Sequence, residues 1–341
     1  MHQNSLPPAY FAAELQARQY RGEHDFKAAA RSAEEAAATA VAAGERNAGW
    51  DMSFFQAENL LDAGEFEDAA TLAVALVNGS FGVPTAQAMA KAHILLAMAS
   101  QLAGLLEQAA DSARTAAELT AEDADIEVNV KARHALIAAL ADCGMLDEAW
   151  NECAVLANIV SEEVDEQLAG KAYWVIGNVA FLCNQVEEGL RYHELAAATF
   201  SPARNLDVWA KFNKASAAMR LAADVADADT LRCIERAELA TDVIGGSSND
   251  YHLLKLNRAH WTLLAGDAPT AIGLLEDLCR LEDGISPQRT GEACLLLGRA
   301  YIATGKNEAA RDVLLRAAEQ FETAGAPQRA EQAREYLANE L

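Results

Sequence analysis

Apolar positions along this chain recur at helical intervals. Ala310, Leu314 and Ala317 fall at i, i+4 and i+7, the spacing that lines one face of a helix. Gly298 and Tyr301 sit on the run before it, and Gly305-Lys306-Asn307 forms a short turn between the two. No Val/Ile/Thr-rich alternating run bounded by turn signals occurs, so the pattern predicts an all-α chain. The turn also recurs upstream. Gly22, Gly64, Gly104 and Gly144 are spaced 42, 40 and 40 residues apart, and Asn184 and Asp224 keep the 40-residue beat. Gly266 and Gly305 follow at 42 and then 39 after it. Glycine and asparagine end helices in the left-handed conformation, so Asn184 fits the series, while 222–230 reads as a longer, looser turn.

Acid and then small residues follow most turns, as in Glu67-Asp68-Ala69, Asp147-Glu148-Ala149 and Glu308-Ala309-Ala310. Carboxylates suit the first turn of a helix, where amide groups lack partners, and a small residue lets two helices lie close. The beat divides the chain into eight helical pairs near 5–43, 47–79, 84–122, 125–164, 165–201, 205–245, 249–283 and 287–324. Short loops at 79–84, 201–202, 245–250 and 284–287 separate them, none long enough to link domains. The tail at 327–341 reads as one capping helix over the last pair, through Ala330, Leu337 and Leu341.

The small-large-small placement around Gly298, Tyr301 and Ala310 resembles a tetratricopeptide repeat. The resemblance covers the whole chain, strongest at 291–324 and weakest at 205–245. A period near 40 is longer than the ordinary 34, and the extra residues lengthen the helices. Long repeats of this kind are similar to those in the ligand-sensing regions of bacterial helix-turn-helix regulators, including the Rap/PlcR/PrgX group of peptide receptors. The resemblance implies a right-handed α-α superhelix, a single solenoid over 1–341, whose concave groove holds a peptide. No DNA-binding segment stands before residue 9, so the chain reads as an effector region or a stand-alone relative.

Composition narrows the function. Hydrophobic residues make up 52% of the chain and aromatics only 6%, so alanine-rich helices dominate. The formal net charge is −24, which repels phosphate backbones and argues against direct nucleic-acid binding. No apolar run is long enough to span a membrane, and no signal pattern opens the chain. The six cysteines form no CxxC pair and read as reduced residues of a cytoplasmic protein. Cys143 and Cys183 each stand one residue before a turn and are expected to neighbour one another across stacked repeats. Catalytic and nucleotide signatures are missing, and the seven histidines lack partners at metal-ligand spacing. The expectation is a non-enzymatic binding protein without cofactor or metal.

One column carries chemistry. Lys91, Lys131, Lys171 and Lys211 each lie thirteen residues before a turn, and they are half of the eight lysines in the chain. On the first helices of stacked pairs they would form an inward ladder with steps of roughly 10 Å. Glu127 and Asp207 stand four residues before Lys131 and Lys211 and would pair with them, whereas Lys91 and Lys171 have glutamine there. Charge balance against neighbouring acidic helices is the competing account. His134 and Trp174 occupy the position three residues later, and Asn178 and Phe181 continue the face of Lys171 and Trp174. With Lys211, Asn213 and Lys214 they would give a pocket of aromatic wall, amide and positive charge. From the resemblance to peptide sensors and carboxylate-clamp co-chaperones, Lys171, Asn178, Lys211, Lys214, Asn257 and Arg299 are the matching candidates. The full Lys–Asn–Asn–Lys–Arg order of the clamp is not reproduced. The expected partner is a peptide or protein segment of anionic character, compatible with a homodimer. The alternative is a scaffold that assembles proteins through the same groove.

Overall fold

The computed structural model describes residues 6–79, 85–120, 125–161, 163–281 and 285–340. Among them are seventeen helices and no strand. The expected loops at 79–84 and 284–287, the start of the first repeat and Leu341 fall wholly or partly outside the described residues. Backbone contacts divide the chain into two compact units, Met1–Cys183 and Asn184–Leu341.

The first unit holds α1 (Pro8–Gly22), α2 (Phe26–Ala42), α3 (Arg46–Asp62), α4 (Phe66–Val77), α5 (Ala86–Leu102), α6 (Leu106–Leu119), α7 (Ile126–Asp142), α8 (Leu146–Ile159) and α9 (Glu166–Leu182). Each helix packs on the next, and α3, α5, α7 and α9 also pack on one another in succession. The odd-numbered helices therefore form one continuous layer. Alanine makes the close approach feasible: Ala57, Ala69, Ala73, Ala92 and Ala99 are fully buried between α3, α4 and α5.

The second unit holds α10 (Val186–Thr199), α11 (Leu206–Ala222), α12 (Ala228–Ile244), α13 (Ser248–Leu264), α14 (Ala268–Cys279), α15 (Pro287–Ala303), α16 (Asn307–Thr323) and α17 (Pro327–Asn339). Its largest core runs from α13 through α17 around Leu275, Leu296, Leu314 and Phe321. Gly298 lies against Leu314, where an added Cβ would stand 2.5 Å from Cγ. The capping helix is as expected: α17 buries Ala330 and Ala333, and Leu337 packs against the same core.

The turns explain the period. Gly64, Gly104, Gly144, Gly266 and Gly305 have positive φ, as do Asn184 and Asp224. At Gly64 two backbone bonds close the helix, from Gly64 N–H to Leu61 and from Glu65 N–H to Leu60 at 2.9 Å. That paired pattern satisfies carbonyls the helix end leaves open and requires one left-handed residue. Gly22 is a correction to the sequence reading. It ends α1 in helical geometry, and His24, with φ 61°, takes the left-handed place. His24 lies 40 residues before Gly64, so the beat is more regular than the glycines alone indicate. The looser turn after Ala222 is present, with five residues before Ala228 against three between α5 and α6.

Candidate functional site

The layer of odd-numbered helices in the first unit encloses a pocket of about 440 Å³. Its floor is apolar, built from Phe54 on α3, Leu95 on α5, Val128 on α7 and Leu168 on α9, and the exposed Met98 of α5 also lines it. Around it stand Lys91, Lys131 and Lys171, one from each of three successive helices, together with Glu58 and His134. Three members of the lysine column therefore line one cavity, because a 40-residue repeat brings equivalent residues to one side of the layer.

The lysines differ in their neutralisation. Lys131 Nζ lies 3.5 Å from Glu127 on its own helix and is half exposed, a contact of little energetic weight. Among the described residues neither Lys91 nor Lys171 is in an ion pair, in a chain with 51 acidic side chains. Burial pushes the Glu58 carboxyl above its ordinary range, against the lowering charges of Arg21, Lys91 and Lys131. Burial also pulls His134 down to about 4, reinforced by the Lys171 ammonium, so at neutral pH its ring is uncharged. The pocket thus offers apolar contact below, cations at the sides and one carboxyl on α3.

The remaining candidates lie elsewhere. Phe181 is buried in α9, and Trp174 and Asn178 on the same helix are half-buried. Lys211, on α11 of the second unit, is paired with Asp207 at 2.7 Å. Lys214 is paired with Asp250, and its carbonyl accepts a 3.1 Å hydrogen bond from Asn257 Nδ2, so both residues tie α11 to α13. Arg299 lies 3.9 Å from Asp224 and over the Tyr336 ring. Cys143 and Cys183 each turn to a backbone carbonyl 37 residues back, Leu106 and Leu146. The thiols that meet are Cys279 and Cys294, 3.4 Å apart in the core of the second unit.

Glu58 escaped the sequence reading. It stands six residues before Gly64, in register with Met98 before Gly104 and Asn178 before Asn184. Aligning all positions of the repeat, rather than its lysines, exposes it. Among the described residues no group of three or more His, Cys, Asp or Glu side chains is placed to hold a metal ion. No helix there is long and apolar enough to cross a membrane.

No family model matches the sequence, and no curated protein matches it. Solved structures do. The apo form of the quorum sensor NprR from B. thuringiensis superposes with a TM-score of 0.59 at 11% identity, over 97% of this chain and 86% of that one. A Rap protein complexed with competence and sporulation factor gives 0.57 at 12% identity, over 97% of both chains. The chain has a tetratricopeptide-like fold of the Rap and NprR type. Aspartyl phosphate phosphatase F from Bacillus subtilis extends the comparison, with a TM-score of 0.59 at 16% identity over 81% of this chain and 70% of that one. At such identities the tetratricopeptide-like likeness is one of fold, and the residues of the pocket must speak for the ligand.

Proposed function

We propose that this protein binds a peptide, or an extended segment of a protein, whose acidic groups meet the lysines of the first unit and whose apolar side chains enter the pocket. The observation that carries the reading is Lys91 and Lys171, unpaired among the described residues, on either side of Lys131 above an apolar floor. The lysines are exposed, so each contact to one of them is worth at most about 1 kcal/mol, and burial of apolar area on the floor supplies the larger share. Two contacts of this kind suffice for micromolar affinity only when the apolar part also fits. We read the chain as the ligand-sensing region of a cytoplasmic bacterial transcription regulator, in which filling the groove shifts the balance between conformations. The shared fold with a quorum sensor and with a Rap protein complexed with competence and sporulation factor supports that reading.

The test uses two fluorescent peptides with the same apolar residues, one interspersed with glutamates and one with lysines. Anisotropy on the full chain is expected to show saturable binding of the acidic peptide, weakening as salt is raised. Equal binding of the basic peptide would overturn the charge assignment.

A further inference from the structure

A second cavity lies in the second unit, formed by α10, α11 and α12, with a volume of about 290 Å³. Its inner wall carries Arg220, only 4% exposed. The Nε of this guanidinium is buried without a hydrogen-bond partner. The nearest carboxylate, Asp227, stands 3.8 Å from Nη1, and its other oxygen already accepts from the amide and hydroxyl of Thr230. A buried guanidinium cannot shed its charge, so it is stable only with a well-placed anion or a full set of acceptors. Among the described residues Arg220 has only the long contact to Asp227, and its Nε has no acceptor.

The rest of the cavity supplies matching donors. Arg232 and Arg236, one turn apart on α12, line the same space. Arg232 is paired with Asp229, a carboxylate that also lines the cavity, while Arg236 lies 5.9 Å above the Trp209 ring and is in no ion pair among the described residues. Deeper in, Ser216 Oγ is hydrogen-bonded to His193 Nδ1 at 3.0 Å. Glu194 also lines the cavity, a carboxylate suited to accepting from hydroxyl groups.

We infer that this cavity binds the phosphoryl group of a small phosphorylated molecule. The guanidinium groups of Arg220 and Arg236, with Arg232 shared with Asp229, offer more donors than the two oxygens of a carboxylate accept, whereas a phosphomonoester presents three terminal oxygens. The volume exceeds what one tetrahedral group fills, which leaves room for a polar body contacting Glu194. The cavity shares no residue with the lysine-lined pocket, so either assignment can fail alone.

The experiment titrates inorganic phosphate and glycerol phosphate into the full chain, followed by calorimetry and by phosphorus NMR line broadening. Sodium chloride at equal ionic strength is the control. Saturable binding is expected for both, tighter for the phosphomonoester. Arg236→Gln, a surface change that leaves the core intact, is expected to weaken it about tenfold or more. Arg220→Met, which replaces the buried charge by an apolar side chain of similar length, is expected to abolish it. Equal affinity in the parent protein and Arg236→Gln, or no saturable binding at millimolar concentration, would overturn the site. Inorganic phosphate bound as tightly as glycerol phosphate would overturn the assignment to a phosphorylated molecule.

Discussion

Gly298 and Gly273 are both helical glycines, yet their neighbourhoods dictate opposite responses to alanine. A Cβ at 298 would stand 2.5 Å from Leu314 Cγ, and Leu314 is fully buried with nowhere to swing. Gly298→Ala is expected to cost about 1–3 kcal/mol by overpacking, more than the helix propensity it gains. At Gly273 nothing lies within 4 Å, so Gly273→Ala is expected to stabilise by about 0.5–1 kcal/mol. Urea denaturation midpoints of the two variants check both signs. Two histidines add a pH dependence. Burial lowers His134 and His260 to about 4 from the ordinary 6.5, with Lys171 acting on the first and Arg299 and Arg329 on the second. Both are therefore neutral in the folded chain while the unfolded chain takes up protons below about 6.5. The stability they contribute is complete above that pH and lost progressively down to about 4, by up to roughly 3 kcal/mol each. Relative to the parent protein, the combined His134→Gln and His260→Gln variant should gain stability over that window, measured by chemical denaturation at several pH values. A constant difference would contradict the burial account.

Between helices, the same ion pair drawn on paper does different work in different places. Asp250 closes a capping box with Ser247 at the start of α13 and also pairs with the half-buried Lys214 of α11. Those two contacts hold its carboxyl down at about 2, Lys214 contributing first. Asp250→Ala removes a cap and strands a cation, and a loss of about 2 kcal/mol or more in denaturation free energy is expected. Asp207→Ala, which frees Lys211 on the surface, should cost less than about 0.5 kcal/mol. This scale also shows what the sequence conceals. The 40-residue beat is legible because a left-handed turn admits few residue types, and Gly, Asn and Asp satisfy it visibly. His24 fills the same place without advertising it, and nearby Gly22 draws the eye two residues too early. Lys214 and Asn257 read as groove residues from their chemistry, yet both bind α13 to α11, a use that depends on contacts between repeats.

Across the whole molecule, a charge of −24 makes every uncompensated cation informative. The lysine column was legible because repetition converts a spacing in sequence into a row in space, and Lys91, Lys131 and Lys171 do line one pocket. The apolar floor and Glu58 were not, since residues that fill a cavity look the same in sequence as residues that fill a core. The arginine cavity was legible at no stage of the sequence, because Arg220, Arg232 and Arg236 meet only when α11 and α12 fold together. The central claim is that the first-unit lysines hold the ligand. It is tested most directly by anisotropy with the acidic peptide on three proteins: the parent chain, the combined Lys91→Glu and Lys171→Glu variant, and Lys211→Glu. The double reversal is expected to weaken binding at least about tenfold, while Lys211→Glu, on a surface pair outside the pocket, leaves it unchanged. Unchanged affinity in the folded double variant, or a loss confined to Lys211→Glu, would contradict it.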